Sequence, residues 1–311
     1  IMGKGDLICL ENITKRFGKH VVLDNLSLSI PHHGIFGIMG LSGCGKTTLL
    51  NIIMGFWKPE RGRVSYNSIN IVDNQHLIHQ VFGFATQEGS VYPKLTVEEN
   101  LTYFGKMYNM PKQDINTRIP EVLKLVELED ARNVMAGELS TGMYRRLDIA
   151  CSMIHNPKVL IFDEPTGNLD PVLRKKLMAM IKRIDDQGTK VIITSHLLGE
   201  IEKICDTLAI LHHGKVITIG SPDALKDKYT TDQVVRIETK KGDYDTLVPT
   251  LKKYGAKKVF QKGKYLHMYT NTPEKLLASL LAYLKNKNDT LVDVEISKPS
   301  IEEVFEAATR R

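Results

Sequence analysis

A glycine-rich loop between an apolar segment and a helical pattern constrains this chain more than any other feature. Residues 40–48 read GLSGCGKTT, which fits the pattern GxxxxGK followed by Ser or Thr. The preceding run, IFGIM at 35–39, is typical of a strand buried on both faces of a parallel sheet, and a helix is expected from Lys46 to about Phe56. Backbone N–H groups of such a loop surround phosphate oxygens, and the helix start adds a favourable dipole. The loop therefore predicts nucleotide binding, with a glycine-rich turn that binds nothing as the weaker alternative.

Two side chains of the loop have distinct expected roles. Lys46 supplies a positive charge to the β- and γ-phosphates, and the Thr47 hydroxyl is a ligand for Mg²⁺. Cys44 is interpreted as a variable position of the loop rather than a redox switch. The residues expected to contact nucleotide here are Gly40, Leu41, Ser42, Gly43, Cys44, Gly45, Lys46, Thr47 and Thr48.

Apolar strands and helical patterns alternate along the first two thirds of the chain. The segments VLIF at 159–162 and VIIT at 191–194 are predicted to be buried strands. The segment 97–156 is predicted to be mostly helical, with Pro111 and Pro120 at helix boundaries. This alternation predicts an α/β core with a parallel sheet.

Two carboxylates follow the predicted strand at 159–162. A P-loop enzyme needs one acid near Mg²⁺ at the end of a neighbouring strand, a role that suits Asp163. The next residue, Glu164, can polarise the attacking water. Acidic residues are common at the ends of strands, so this pair indicates a nucleotide site only together with the upstream phosphate loop.

A short motif before these carboxylates points to a family. Leu139-Ser140-Thr141-Gly142-Met143 resembles the LSGGQ signature of ABC-transporter ATPases. The other family motifs occur in order around it: Phe17 matches the aromatic residue that stacks on adenine, Gln87 the Q-loop glutamine, Asn168-Leu169-Asp170 the D-loop, and His196 the switch histidine. The resemblance covers about residues 7–225, and the chain looks like an ABC nucleotide-binding subunit.

The resemblance implies a P-loop NTPase fold of the ABC type. In this fold the α/β core carries an antiparallel β subdomain and a helical subdomain, here about 97–156. It also implies hydrolysis of ATP by in-line attack of water on the γ-phosphate, catalysed mostly by positioning and electrostatics. Glu164, His196 and Lys46 are the expected catalytic residues.

The resemblance further implies Mg²⁺ and two kinds of partner. Thr47, Gln87 and Asp163 are the expected residues at the metal. Two cassettes of this family close head to tail as a homodimer or heterodimer, so Ser140 and Gly142 are expected to contact the ATP held by the partner. A separate transmembrane permease subunit would carry the transported substrate.

Two residues depart from the family pattern. Thr141 replaces the first glycine of the signature pair, which adds a side chain where the backbone approaches nucleotide. Phe17 replaces the commoner tyrosine; it can still stack on adenine, and the alternative is an ordinary core aromatic.

The tail, about 229–311, has a different pattern from the cassette. Its predicted order is strand, helix, strand, strand, helix, strand and a last helix, which matches the ferredoxin-like split βαβ unit and indicates a small α+β domain. The strands are expected near 234–239, 257–262, 264–270 and 290–296, and the helices near 244–254, 273–286 and 300–309. The end of the tail, KPSIEEVF from Lys298, and Met143 in the signature resemble drug and antibiotic exporters of the daunorubicin-resistance type.

Composition narrows the setting in which the chain works. The 42 basic and 36 acidic residues give a net charge of +6, which is too small to indicate a nucleic-acid partner. No long uncharged apolar run is present, so the chain is not expected to cross a membrane itself. The four cysteines are far apart, which favours free thiols in a reducing cytoplasm. The free thiols favour the cytoplasm, and the permease partner that the resemblance implies places the chain peripherally on the inner face of the cell membrane.

Two other functions remain as alternatives. A soluble ABC ATPase that acts on nucleic acid or ribosomes usually has two cassettes or long coiled coils, and this chain has neither pattern. A catalytically inactive regulatory cassette is disfavoured by the presence of Glu164 and His196.

The segment EGSVYP at 88–93 is predicted to dock the membrane subunit through Val91 and Tyr92, unless Tyr92 packs in the core.

Overall fold

The computed structural model describes residues 6–74, 78, 80–86, 89–167, 169–229, 232–242 and 244–309. The strands are β1 (Ile8–Phe17), β2 (His20–Ile30), β3 (Phe36–Met39), β4 (Arg61–Tyr66), β5 (Ile69–Asn70), β6 (Phe82–Ala85), β7 (Val159–Asp163), β8 (Lys190–Ser195), β9 (Thr207–His212), β10 (Lys215–Gly220), β11 (Gln233–Thr239), β12 (Lys258–Lys262), β13 (Tyr265–Thr270) and β14 (Leu291–Ser297). The α-helices are α1 (Lys46–Ile53), α2 (Val97–Met107), α3 (Lys112–Val126), α4 (Thr141–Met153), α5 (Pro171–Asp186), α6 (Leu198–Ile201), α7 (Pro222–Tyr229), α8 (Leu247–Lys253), α9 (Pro273–Asn286) and α10 (Ile301–Thr309). None of these helices is both long and apolar enough to span a membrane.

The chain forms two compact units, the first ending at Pro222 and the second beginning at Asp223. The first unit is built on a sheet in the order β10-β9-β3-β8-β7-β6, with parallel pairing except between β9 and β10. β3, β7 and β8 are buried along their whole length, as their apolar sequences predict. Met39 pairs with Ser195, and Asp163 pairs with Thr194. Because these strands are parallel and in register, the segments that follow them meet at one edge of the sheet.

A second sheet of the first unit is antiparallel, in the order β2-β1-β4-β5. It shares an apolar core with β3, α1 and β7, including Ile8, Leu28, Phe36 and Leu50. Phe17 lies at the end of β1, directly before the turn into β2. This sheet therefore places the candidate adenine-stacking residue on the same unit as the phosphate loop.

The helical segment of the first unit comprises α2, α3 and α4. A capping box formed by Thr96 and Glu99 begins α2, and Pro111 precedes α3 as predicted. The predicted boundary at Pro120 is wrong, since Pro120 lies inside α3. Pro120 and Asn116 are both exposed, so water can bind the Asn116 carbonyl that proline leaves without an N–H partner. The apolar face of α3, which includes Ile119 and Val122, is buried and holds the helix together.

Gly83 in β6 allows α4 to approach the sheet closely. A Cβ atom at this position would lie 2.1 Å from the Ser152 carbonyl oxygen and 2.7 Å from a methyl group of Leu160. Gly83→Ala is therefore expected to lower the free energy of unfolding by about 1–3 kcal/mol, measured by urea denaturation. Gly137→Ala is the control, because its new Cβ has no neighbour nearer than 3.1 Å. Equal stability of the two variants would contradict the prediction.

The second unit has a sheet in the order β12-β13-β11-β14, in which neighbouring strands are antiparallel. Its elements follow one another as β11, α8, β12, β13, α9, β14 and α10, and their bounds lie within about three residues of the predicted ones. Val235, Ile237, Leu266 and Met268 on the sheet pack with Leu276 of α9 in one apolar core.

Candidate active site

The loop after β3 forms an open cradle at the start of α1. Gly45 is the N-cap of α1, with φ +109°, and no side chain caps the helix there. The first backbone N–H groups of α1 are therefore open to an anion, and the helix dipole favours one. A Cβ atom at Gly43, where φ is +80°, would meet no atom within 4 Å. This geometry fits the phosphate groups of a nucleotide.

Lys46 is the buried cation of the cradle. Its Nζ donates to the carbonyl oxygens of Gly40 at 2.9 Å and Leu41 at 3.3 Å. The same atom lies 3.2 Å from Glu164 Oε1. The protein thus holds the ammonium group at the floor of the loop, where it faces the carboxylate that follows β7.

Glu164 lies between two other predicted catalytic groups. Its Oε1 pairs with Lys46, and its Oε2 is within hydrogen-bonding distance of His196 Nδ1. Its backbone φ of +48° is in the left-handed region, which is uncommon for a residue other than glycine. The Thr194 hydroxyl accepts a hydrogen bond from Glu164 N at 3.0 Å and so holds this conformation. Strained backbone of this kind is often found at functional sites.

Thr194 was not predicted as a site residue, yet it links both carboxylates. Its hydroxyl donates to Asp163 Oδ1 at 2.5 Å while it accepts from Glu164 N. The other oxygen of Asp163 accepts from Thr47 Oγ1 at 2.8 Å. The place of Thr194 directly before Ser195-His196 was the one signal in the sequence, and only the pairing of β8 with β7 brings its hydroxyl to the carboxylates. Hydroxyl and carboxylate oxygens are ligands that Mg²⁺ prefers, so the pair of Thr47 and Asp163 fits this ion.

Lys46, Thr47, Glu164 and His196 line a cavity of about 340 Å³, whereas Asp163 and Thr194 lie behind them and do not line it. The lining residues are Val22, Ser42, Gly43, Gly45, Lys46, Thr47, Thr48, Glu164 and His196. Val22 comes from β2 and was not predicted. The predicted contacts Gly40, Leu41 and Cys44 are not among the lining residues; the side chain of Leu41 is exposed and that of Cys44 is buried. Burial also raises the pKa of the Cys44 thiol, which agrees with a structural rather than a reactive cysteine.

Comparisons with known proteins identify the family. The profile of the family described as ABC transporter matches residues 23–167. The Nod factor export ATP-binding protein I of Rhizobium sp. (strain N33) is 32% identical over 98% of this chain and 97% of its own length. This chain is an ABC transporter ATP-binding protein. The linearmycin resistance ATP-binding protein LnrL of Bacillus subtilis (strain 168) is 30% identical over 97% of each chain.

A solved structure agrees with this assignment. An ATP binding subunit of an ABC transporter matches with a TM-score of 0.64 and 26% identity, over 72% of this chain and 93% of that chain. As an ABC transporter subunit, the protein binds and hydrolyses ATP. The named relatives are transporter subunits, which favours transport over an action on nucleic acid or ribosomes.

The signature residues of this ABC subunit lie apart from the cavity at the phosphate loop. Ser140 is the N-cap of α4, and its Oγ accepts a hydrogen bond from Met143 N. Gly142 lines a different cavity, of about 310 Å³, together with Leu169 and Leu173. A single chain therefore does not bring the signature to its own phosphate loop.

The remaining predicted residues lie outside the cavity or outside the described residues. Phe17 is 46% exposed, which excludes the alternative of a core aromatic. Its ring packs edge-on against Trp57, with ring centroids 5.0 Å apart. Gln87, Glu88 and Asn168 are outside the part of the chain that the structure describes.

Proposed function

We propose that this subunit powers export of drugs, antibiotics or lipids through a separate transmembrane permease subunit. The proposal rests on one observation: two relatives, named for Nod factor export and for linearmycin resistance, match this chain almost from end to end. One name states export and the other resistance to linearmycin, and both matches include the second unit. The proposed site of action is the cytoplasmic face of the cell membrane.

The direct test is reconstitution with the membrane protein encoded beside this chain. We expect a product with several apolar spans, and we expect ATP-dependent movement of amphiphilic compounds in vesicles that contain both proteins. ATP hydrolysis without movement of any tested compound would leave the ATPase assignment intact and contradict the proposed export.

The proposed mechanism gives each charged group of the cavity one task. Lys46 exchanges its present partner Glu164 for phosphate oxygens, which frees the Glu164 carboxylate to orient water and accept its proton. His196 is close enough to Glu164 to orient that carboxylate, and it lines the same cavity. Thr47 and Asp163 would hold Mg²⁺, which neutralises charge on the phosphates; Gln87 is proposed as a third ligand from the sequence alone.

We propose that the active unit is a dimer, formed either by two copies of this chain or by this chain and a second cassette. The separation of Ser140 and Gly142 from the phosphate cavity supports this proposal, since these residues complete a site only when supplied by a partner. Such a head-to-tail arrangement makes two complete sites from two incomplete ones.

We further propose a nucleotide-binding domain over residues 7–225 and an accessory domain over 229–311. The boundary between the compact units, after Pro222, supports this division. The strand order β12-β13-β11-β14 and the chain order with two intervening helices support a ferredoxin-like fold for the accessory domain.

The proposed docking surface for the membrane subunit is the tyrosine patch (Tyr92, Tyr103 and Met107) on the helical segment. Tyr92 is 44% exposed, and its hydroxyl lies 3.1 Å from that of Tyr103. Met107, at the end of α2, is 60% exposed. Val91 is buried, so its predicted contact with the membrane subunit is wrong, and Tyr92 is the exposed aromatic side chain of the segment after Gln87. Exposed aromatic groups with polar tips suit an interface.

Tyr92→Ala is expected to reduce co-purification with the membrane subunit by about tenfold or more, as loss of an interface tyrosine often does. The melting temperature and the basal ATPase rate of the isolated subunit are expected to change little, because the side chain is half exposed. Tyr254→Ala, at a similarly exposed tyrosine of the second unit, is the control. A large loss of melting temperature with intact partner binding would show that Tyr92 stabilises the fold instead.

A further inference from the structure

A buried arginine joins three separate segments of the first unit. Arg145 lies on α4 and is 7% exposed. Its Nε donates to the Pro165 carbonyl oxygen at 3.1 Å, and its Nη1 donates to the Thr86 carbonyl oxygen. Nη1 also contacts Asp148 Oδ2 at 3.0 Å, one helical turn further along α4. Pro165 directly follows Glu164, so the guanidinium binds the residue next to the proposed catalytic carboxylate.

Asp148 extends the same network in the opposite direction. Its side chain is 1% exposed, and its Oδ1 accepts hydrogen bonds from Ser90 N at 2.8 Å and Ser90 Oγ at 3.1 Å. Thr86 and Ser90 are the residues on either side of the segment that contains Gln87. The ion pair of Arg145 and Asp148 therefore holds both ends of that segment against α4.

A gain in stability is a weak explanation for the buried ion pair of Arg145 and Asp148. Burial raises the pKa of Asp148, although Arg145 opposes this shift, and burial lowers the pKa of Arg145. Desolvation of this kind often makes a buried ion pair no better for stability than apolar side chains of similar volume. Arg145 Nη2 is also buried without a hydrogen-bond partner among the described residues. The pair instead fixes the positions of its partners, because a planar guanidinium holds two carbonyl oxygens and one carboxylate in a set arrangement.

We propose that Arg145 is a positioning residue that fixes the backbone next to Glu164, at Pro165, relative to Thr86 and to the signature helix α4. α4 begins at the Ser140 cap, so Arg145 also sets where the Pro165 and Thr86 carbonyls lie relative to the signature. The residue acts through the backbone on either side of the proposed catalytic and metal-binding groups. This inference rests on the proposed roles of Glu164 and the signature, and it extends them to the part that connects them.

Arg145→Lys tests the proposal in the purified full-length chain. Lysine keeps a positive charge for Asp148, but a single ammonium group lacks the fork that reaches both carbonyls in one fixed geometry. The kcat of ATP hydrolysis is expected to fall about 10- to 100-fold, as for other small misplacements of catalytic groups. The KM for ATP is expected to stay within about twofold, because the phosphate loop itself is unchanged.

Arg146→Lys is the matched control, because it changes the next residue of the same helix. Arg146 Nη1 donates to the carbonyl oxygens of Val126 and Glu127 at 3.0 and 2.9 Å, both at the end of α3. Its contacts thus remain within the helical segment. The two variants are expected to lose similar melting temperature, whereas only Arg145→Lys loses kcat. An equal effect of both variants on kcat would overturn the proposal.

Asp148→Asn provides a second, milder variant. Asparagine keeps an oxygen acceptor for Ser90 but removes the charge that orients Arg145, so kcat is expected to fall severalfold without a change in KM. If Asp148→Asn retains the wild-type kcat, the proposal is overturned, even where Arg145→Lys fails to fold. A wild-type protein that hydrolyses no ATP would instead contradict the catalytic assignment, so the two failures are distinguishable.

Discussion

Lys46→Ala is expected to reduce ATP turnover by about 10²–10³ or more, the usual cost of removing a main electrostatic contact to reacting oxygens. The Lys46 ammonium is the buried cation that faces the phosphate cavity, and alanine offers nothing in its place. The substitution also leaves Glu164 without its partner at 3.2 Å. The measurement is steady-state hydrolysis by the purified protein, with equilibrium binding of ATP in parallel.

Lys190→Ala is the control for this variant. Lys190 is also a buried lysine whose Nζ donates to two backbone carbonyls, those of His33 and Gly34. It begins β8, whereas the residues of the site follow the other end of that strand. Burial lowers the pKa of Lys190 to about 8, so this lysine is still mostly protonated near neutral pH and the control also removes a buried charge. Lys190→Ala is expected to lower stability and to retain ATP binding; wild-type turnover of Lys46→Ala would contradict the assignment of the loop.

Glu164→Gln is expected to retain ATP binding and to lose at least about 10²-fold in hydrolysis, the low end of what a general base contributes. The amide keeps the shape of the side chain, and its oxygen still accepts from Lys46, but it does not take a proton from water. Removal of one negative charge beside the phosphates also favours the ATP-bound state. The variant is therefore expected to accumulate as a closed dimer, seen in size-exclusion chromatography with saturating ATP as a shift to twice the monomer mass.

Glu98→Gln separates this effect from the general loss of an ion-paired carboxylate. Glu98 forms hydrogen bonds with Arg132 on the helical segment, and Arg132 lowers the pKa of Glu98. This control is expected to hydrolyse ATP at the wild-type rate and to show no trapped dimer. If Glu164→Gln hydrolyses normally and remains monomeric, Glu164 is not the base. Loss of hydrolysis without dimerisation would indicate that the functional dimer requires a second, different cassette.

The parts that the sequence predicted well depend on local chemistry. The phosphate loop is one contiguous segment whose glycines, lysine and threonine must follow one another, so its position and its strand–helix context could be read directly. Asp163 and Glu164 end a strand whose unbroken apolar character marks it as buried. The elements of the second unit were predicted closely for a similar reason, since the helix at 273–286 and its flanking strands have clear periodicity.

The exposure of side chains and the contacts between distant segments could not be predicted from such local patterns. A phenylalanine at the end of a strand can lie either in the core or on the surface. Only the packing of β1 shows that Phe17 is exposed. Pro120 looks like a helix boundary until the fold shows that Asn116 faces water and the opposite side of α3 is buried. Thr194 is an ordinary strand residue until the pairing of β7 with β8 brings its hydroxyl to the two carboxylates.

The amino-acid sequence by itself therefore determined which chemical groups the site contains, namely a glycine-rich loop with its lysine, two acids and a histidine, and it determined the order of the elements. These features are local, because each depends on residues adjacent in the chain. Only the tertiary structure decided how the groups act together. Arg145 reaches Pro165 and Thr86, which are 20 and 59 positions away in the chain. Contacts at such separations are chosen by the packing of α4 against the sheet, and no local preference of the chain encodes them.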